Sequence, residues 1–338
     1  MTEEQEENFC YLPFVQLLLQ PTGAISPCCW AQDMVLGKVP EDSLEAIWNG
    51  EKLRSLRREF LSGNPVTCKT KMRHIGCHRF NRGPYAKNPD LSEIQVLGPR
   101  RLDVRLNGRC NLQCVMCDVW KQPNGKFDDS DFWAKGPQQI FPYLMELDVL
   151  GGEPFVQADT YRLIDEVSKV NDQCTWAFVT NGNYNFQPIR KRLEKIKLRW
   201  FMLSLDSVVP ETYEKIRKGG NLKRALETID GLAEFNEELR GSGRDFDFSV
   251  SMCVQQENWR EIESFFIYCD VVNIRPWLQF AYEPSSVSLL RYSFSERMKI
   301  KEYLERLSEK YGSGSVNAIL QPINDSLSER EVVHERSF

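Results

Sequence analysis

The sequence predicts an α/β fold, in which short strands alternate with helices along a chain of 338 residues. Apolar and polar residues alternate over 101–107, as in a strand of a barrel, and similar segments recur further along the chain. Stretches of helical length separate these segments, and 41% hydrophobic residues suffice to bury a core. Strands that alternate with helices in this way form parallel βαβ units.

Six strands, separated by stretches of helical length, make up the predicted barrel. The strands are expected at 101–107, 146–150, 175–180, 200–205, 247–254 and 277–281. The helices are expected at 158–170, 186–197, 211–236 and 259–268. This pattern predicts an incomplete (β/α)6 barrel with ligands at the carboxyl ends of its strands. We place the barrel at 91–310 and assign no role to the polar tail at 311–338.

Residues 1–90 differ from the rest and predict a separate metal-binding lobe. They carry five of the eleven cysteines and two of the three histidines, and they show no alternation of strands and helices. A helix is expected from Leu44 to Leu61, with Asp42 or Ser43 as its N-cap and Gly63 past its end.

Composition argues against several classes of protein. The formal net charge of -5 argues against a broad nucleic-acid interface, which is normally basic. The N-terminus is acidic, unlike a secretory signal, and no apolar run approaches the ~20 residues of a membrane span. We therefore expect a soluble, cytoplasmic protein without a membrane partner. Its cysteines then indicate metal binding, because the cytosol keeps thiols reduced.

Three cysteines with C-x3-C-x2-C spacing follow the first predicted barrel strand. They are Cys110, Cys114 and Cys117. Thiolates are the usual protein ligands of a four-iron cluster, so this loop can hold three of its irons. The fourth iron is then open for a substrate or cofactor. The alternative is a structural zinc site, which requires a fourth ligand.

Together with three later segments, this loop resembles the radical S-adenosylmethionine (SAM) enzymes. The segments end successive predicted strands and are Gly151-Gly152-Glu153-Pro154, Thr180-Asn181-Gly182 and Leu203-Ser204-Leu205-Asp206. The resemblance implies a radical SAM barrel in which a 4Fe-4S cluster binds SAM. It implies reductive cleavage of SAM to a 5′-deoxyadenosyl radical, which abstracts hydrogen from a substrate carbon. It also implies an electron donor such as a flavodoxin or ferredoxin.

The resemblance assigns SAM contacts to the Gly-Gly-Glu segment and to the cysteine loop. Gly151, Gly152 and Glu153 would hold the ammonium group, since glycine lets a backbone approach a ligand closely. Met116, before the third cysteine, occupies the position that packs beside the adenine. The alternatives are an ordinary turn for the Gly-Gly-Glu segment and plain loop packing for Met116.

The later strand ends are expected to bind the rest of SAM. By resemblance, Asn181, Ser204 and Asp206 contact its ribose and carboxylate. Ser204 and Asp206 share one strand face. Arg217 matches the arginine that follows the Ser-Leu-Asp segment in the family, and its planar fork suits a carboxylate. Asn258 is a further candidate. The alternatives are strand-end capping and, for Arg217, a solvated helix face.

A second cysteine pattern lies in the N-terminal segment. Cys10, twelve residues, Gly23, four residues and Cys28 follow one another, with Gly23 expected in a hairpin. This pattern resembles the opening of SPASM and twitch domains, which bind auxiliary iron-sulfur clusters. Cys68 and Cys77 would complete the four ligands of an auxiliary 4Fe-4S cluster.

Three questions about this lobe stay open. The neighbouring Cys29 could replace Cys28 as a ligand, and the lobe could hold zinc instead of a cluster. The domain order is also unusual, because the resemblance places such a domain after the barrel.

The resemblance implies a radical SAM oxidoreductase that oxidises or cross-links a peptide, as a maturase of peptide natural products does. In this interpretation the auxiliary cluster takes part in electron transfer. A dehydrogenase or rearrangement enzyme for a small polar metabolite, such as a cyclitol, sugar or nucleoside, is the first alternative. A non-catalytic protein that binds an iron-sulfur cluster or zinc is the second.

Overall fold

The computed structural model describes residues 9–69, Tyr85 and 88–335. The strands are β1 (Gln16–Leu19), β2 (Ala24–Ser26), β3 (Gly37–Lys38), β4 (Arg101–Val104), β5 (Glu146–Val149), β6 (Thr175–Thr180), β7 (Lys197–Ser204), β8 (Asp247–Val254) and β9 (Arg275–Phe280). The helices are α1 (Leu12–Val15), α2 (Leu44–Trp48), α3 (Glu51–Leu61), α4 (Val66–Lys69), α5 (Asp131–Gln139), α6 (Ala158–Val170), α7 (Phe186–Leu193), α8 (Pro210–Ile216), α9 (Leu222–Arg240), α10 (Ile262–Val271), α11 (Phe294–Tyr311) and α12 (Ser313–Glu335).

The chain divides into two compact units. Unit 1 comprises Met1–Cys110, Lys121–Phe178 and Pro188–Arg199. Unit 2 comprises Asn111–Trp120, Val179–Gln187 and Trp200–Phe338.

Unit 1 contains a sheet with the strand order β3-β2-β1-β4-β5-β6. Parallel pairs join β1 to β4, β4 to β5 and β5 to β6. Strands β1 and β2 form an antiparallel hairpin, and Gly23 takes a φ of 82° in its turn, which confirms the predicted hairpin. Because β1 pairs with β4, the sheet continues into the segment predicted as a separate lobe. The boundary at residue 90 stays a prediction.

Unit 2 contains the parallel strands β7, β8 and β9 in that order. Leu203, Val250 and Leu278 are buried on one face of these strands, where they contribute to the apolar core. The opposite face is mainly polar. The polar tail forms the long helix α12, which packs on α11 and β9. The structure thus confirms the predicted α/β fold class with parallel strands.

Two predicted helices are each divided in the structure. The expected helix 44–61 breaks at Gly50 into α2 and α3, while Ser43 is its N-cap and accepts a hydrogen bond from Ala46 N at 3.1 Å. The expected helix 211–236 breaks between Ile216 and Leu222, where Gly219 takes a φ of 85°. A left-handed glycine ends a helix readily, because it has no Cβ to clash.

In the part of the chain that the structure describes, the helices are all too short or too polar to cross a membrane.

Candidate functional site

The Gly-Gly-Glu segment lies directly on the backbone that leads to Cys110. A Cβ added at Gly152 would lie 2.1 Å from the carbonyl oxygen of Arg109 and 2.6 Å from that of Gly108. Glu153 N donates a hydrogen bond to Arg109 O at 2.9 Å. Only glycine permits this approach, because any side chain would overlap backbone atoms that cannot rotate away.

Side chains of the same unit fix this approach. Gln157 Nε2 donates to Arg109 O at 2.9 Å, and Asn107 Nδ2 donates to Asp159 Oδ2 at 2.6 Å. The Glu153 side chain is only 1% exposed and accepts a hydrogen bond from Phe155 N at 3.2 Å. The predicted group Gly151, Gly152 and Glu153 therefore forms an ordered wall beside the start of the cysteine loop.

The second part of the cysteine loop pairs with the chain that follows α8. Gln113 N donates to Lys218 O and Val115 N donates to Ile216 O, both at 2.9 Å. The break between α8 and α9 makes this pairing possible, because it turns residues 216–218 away from the helical hydrogen-bond pattern. Cys114 and Cys117 are thus held on ordered backbone.

Arg217 links two of the predicted site residues. Its Nη2 lies 2.8 Å from Asp206 Oδ2, and its Nη1 lies 3.9 Å from Cys114 Sγ. Both charged side chains are buried, Arg217 to 5% exposure and Asp206 to 0%. Burial lowers the pKa of Arg217, but the Asp206 carboxylate and then the Cys114 sulfur outweigh it and raise that pKa above its ordinary value.

Asp206 is fixed from several sides. Its φ is 65°, a left-handed conformation that is strained for residues other than glycine. Its Oδ1 accepts a hydrogen bond from Cys253 N at 2.7 Å, and its carbonyl accepts one from Asn258 Nδ2 at 2.9 Å. The side chain of Asn258 therefore connects the backbone of Asp206 to the end of β8. Strain of this kind persists where neighbours determine the conformation.

A chain of asparagines orders the end of β6. Asn181 Nδ2 donates to Asn111 Oδ1 at 2.9 Å, and Asn111 Nδ2 donates to Asn183 O at 2.7 Å. Asn183 Nδ2 donates to Tyr213 Oη, and Asn183 Oδ1 accepts from Asn221 N, both at 2.6 Å. Asn181 is among the predicted site residues, whereas Asn111 and Asn183 are not. The Asn-Gly-Asn triplet at 181–183 is the signal that could have suggested them.

Ser204 lies on the polar face of β7–β9. Side chains of alternate residues share this face, and Trp200 Nε1 donates to Ser249 Oγ across it at 3.2 Å. The polar face consists of Trp200, Met202, Ser204, Asp247, Ser249, Ser251, Cys253, Arg275, Trp277 and Gln279. Met116 is half-buried on the cysteine loop.

The N-terminal cysteines Cys10, Cys28, Cys29 and Cys68 are each half-buried in unit 1. Burial, and next the Asp103 carboxylate, raise the pKa of the Cys29 thiol to about 12. Cys77, the fourth predicted ligand of the lobe, lies outside the described residues. Among residues that the structure describes, no three His, Cys, Asp or Glu side chains converge on a point that could hold one metal ion.

The donor set of the cysteine loop fits an iron-sulfur cluster. Three thiols lie within eight residues, and a cluster places each thiolate on a different iron, so its ligands need not converge on one point. The close approach at Gly152 leaves no side chain between the two backbones at the start of the loop. A buried cation beside Cys114 also suits an anionic sulfur ligand.

Comparison with known families gives two matches. The radical SAM superfamily matches residues 104–266, which include all three cysteines of the loop and the strand ends described above. The SPASM iron-sulfur cluster-binding domain matches residues 10–72, which include Cys10, Cys28 and Cys68.

Curated relatives match only part of the chain. A GTP 3′,8-cyclase of Clostridium acetobutylicum is 27% identical over 139 residues, 40% of this chain and 43% of the relative. The GTP 3′,8-cyclase of Petrotoga mobilis is 30% identical over 142 residues, 39% of this chain and 42% of the relative. The chain thus matches less than half the length of these relatives.

Solved structures match with low identity. Streptococcus suis SuiB bound to S-adenosylmethionine is 15% identical, with a TM-score of 0.44, and the match covers 88% of this chain and 68% of SuiB. The anSMEcpe protein with bound AdoMet is 16% identical, with a TM-score of 0.45, and covers 64% of this chain and 61% of that protein.

Proposed function

Because this chain belongs to the radical SAM superfamily and carries a SPASM iron-sulfur cluster-binding domain, we propose that it abstracts a hydrogen atom from a peptide substrate. Its cofactors are a 4Fe-4S cluster in the barrel, SAM, and an iron-sulfur cluster in the SPASM domain. When bound, the barrel cluster and SAM supply a 5′-deoxyadenosyl radical by reductive cleavage. The observation that carries the proposal is the ordered cysteine loop, with Arg217 3.9 Å from Cys114 Sγ.

In this proposal, Cys110, Cys114 and Cys117 hold the barrel cluster. The backbone of Gly151 and Gly152 and the buried carboxylate of Glu153 bind the ammonium end of SAM. The close packing of this segment on residues 107–109 supports that role, because it fixes the segment beside Cys110.

The remaining SAM contacts divide into direct and indirect ones. Ser204 keeps its hydroxyl on the polar face and binds the ligand directly, and Met116 packs beside the adenine. Asn181 and Asp206 are occupied by protein partners, so they order the strand ends around the ligand. Cys10, Cys28, Cys68 and Cys77 bind the auxiliary cluster, and a flavodoxin or ferredoxin supplies electrons.

The charge of the polar face favours an uncharged substrate such as a peptide. Its ten residues include one cation, Arg275 at the start of β9, and this arginine is already paired with Asp247 at 2.6 Å. A nucleoside triphosphate requires cationic partners, whereas serine, glutamine and tryptophan suit amides and neutral side chains. A second candidate, a radical SAM enzyme for a small polar metabolite such as a nucleotide, is favoured by the partial similarity to GTP 3′,8-cyclases.

The central experiment measures iron content and 5′-deoxyadenosine after anaerobic reconstitution. We expect about eight irons per chain from two four-iron clusters, and release of 5′-deoxyadenosine on reduction with SAM. Replacement of Cys110, Cys114 and Cys117 by alanine is expected to remove about half of the iron and all of the release. Replacement of Cys10 and Cys28 by alanine should instead spare uncoupled SAM cleavage.

Cys174→Ala is the matched control, because this cysteine is buried and belongs to neither predicted ligand set, so it should keep both iron and release. Full iron content in the triple variant would refute the ligand assignment. Bound clusters without any SAM cleavage would favour the non-catalytic alternative.

Equilibrium dialysis with labelled GTP separates the two substrate classes. We expect no saturable binding to the reconstituted protein in the presence of SAM, because the one cation of the polar face, Arg275, is paired with Asp247. Saturable binding with a dissociation constant of about 1 μM to 1 mM, the usual range of KM values, would favour the metabolite candidate.

A further inference from the structure

Arg217 lies opposite Cys114 because the backbone places it there. The hydrogen bonds from Gln113 N to Lys218 O and from Val115 N to Ile216 O flank the two residues, each at 2.9 Å. Such antiparallel pairing sets the residues between the two bonds face to face. The position of the guanidinium therefore follows from the fold of the segment and not from a chance rotamer of a long side chain.

Asp206 fixes the direction of the guanidinium. Its Oδ2 lies 2.8 Å from Arg217 Nη2, while Cys253 N holds its other oxygen at 2.7 Å. With Arg217 anchored on one side, its Nη1 lies 3.9 Å from Cys114 Sγ, within hydrogen-bonding range for sulfur. Both members of the pair are buried, so solvent screens the charge only weakly.

The charge at this position bears on the electron affinity of a bound cluster. Reduction adds negative charge to a cluster and to its sulfur ligands, and a buried cation that donates to one sulfur stabilises the reduced state. Hydrogen bonds to the sulfurs and the net charge around them are general determinants of cluster potential. The Asp206 carboxylate opposes this effect, because it partly neutralises the arginine.

We propose that Arg217, held by Asp206, is a positioning residue that donates a hydrogen bond to Cys114 Sγ and raises the reduction potential of the cluster which this cysteine ligates. This inference depends on the proposed function, since it requires Cys114 to be a cluster ligand. The proposed hydrogen bond differs from the expected contact of Arg217 with the carboxylate of SAM, because it affects the cluster even when SAM is absent.

The test is a redox titration of the reconstituted protein without SAM, followed by the electron paramagnetic resonance signal of the reduced barrel cluster. Comparison with the Cys10→Ala, Cys28→Ala variant assigns this signal. Arg217→Gln removes the charge and the donor fork. Lys218→Gln is the matched control, because it makes the same change at the next residue, which is exposed.

We expect Arg217→Gln to lower the ratio of reduced to oxidised cluster about tenfold at a fixed potential, a shift of about 59 mV for one electron. Lys218→Gln should titrate as the wild type does. Asp206→Asn keeps the shape of the side chain and its acceptor for Cys253 N, and it should shift the potential in the opposite direction, upward.

Equal potentials for Arg217→Gln and Lys218→Gln would overturn the proposal. A downward or absent shift in Asp206→Asn would do so as well. If Arg217→Gln binds no barrel cluster, the reduction potential of Asp206→Asn serves as the test instead. If neither variant binds the cluster, the pair has a structural role and the proposal fails. Failure of the proposed function is distinct, since iron content would then stay full in the triple cysteine variant.

Discussion

Replacement of Gly152 by alanine tests the close contact between the Gly-Gly-Glu segment and the start of the cysteine loop. The new Cβ would lie 2.1 Å from Arg109 O and 2.5 Å from Arg109 C, and both are backbone atoms. The overlap is relieved only if the two segments separate. Separation breaks or lengthens the hydrogen bonds that Glu153 N and Gln157 Nε2 donate to Arg109 O, both 2.9 Å long.

The expected cost follows from these contacts. Loss of two hydrogen bonds is worth about 2 kcal/mol, and the overlap adds at least about 1 kcal/mol, so we expect destabilisation by about 3 kcal/mol. For cooperative unfolding of all 338 residues this corresponds to a melting temperature lower by about 4 °C. The assay is thermal unfolding of the anaerobically purified protein, followed by circular dichroism.

Gly314→Ala is the control, because a Cβ at Gly314 would meet no atom within 4 Å. Alanine is also the better helix former there, so the melting temperature should stay unchanged or rise slightly. Equal melting temperatures for Gly152→Ala and Gly314→Ala would refute the inferred backbone contact.

Two further predictions concern stability. Asn183→Ala removes the buried hydrogen bonds to Tyr213 Oη and Asn221 N and should cost about 2 kcal/mol in urea unfolding, whereas Asn124→Ala, at an exposed loop position, should cost less than about 0.5 kcal/mol; equal costs would contradict the network. Hydrogen bonds from the side chains of Arg54 and Arg58 lower the pKa of Glu93, so its stabilising effect is complete above the pKa of the unfolded carboxyl and is lost as the pH falls through the lowered folded value. The difference in urea midpoint between wild type and Glu93→Gln should therefore vanish in acid, and a difference independent of pH would disprove it.

Strong local patterns made several elements predictable from the sequence. The strand predicted at 247–254 and the helix predicted at 158–170 have the same bounds as β8 and α6. The fold class and the position of the cysteine loop follow from patterns of this kind, because each depends on residues that are close in the sequence.

The arrangement around Arg217 was not predictable in the same way. Arg217 falls within the one long helix predicted at 211–236, although the Gly219-Gly220 pair signals a break. The ion pair with Asp206 and the contact with Cys114 depend on how that break folds back on a loop about 100 residues earlier, and no local pattern encodes such a distance. SAM contacts at Asn181, Ser204 and Asp206 stay predictions.

The hairpin of β1 and β2 has a consequence for self-association. It covers the edge of β4, and the outermost strand of this sheet is β3, which has two residues and an exposed lysine, Lys38. A short, charged outer strand is a poor template for pairing with another molecule. Trimming the chain to the predicted barrel would uncover the buried edge of β4 with unpaired backbone N–H and C=O groups, so the segment that carries Cys10 and Cys28 also protects the protein against aggregation.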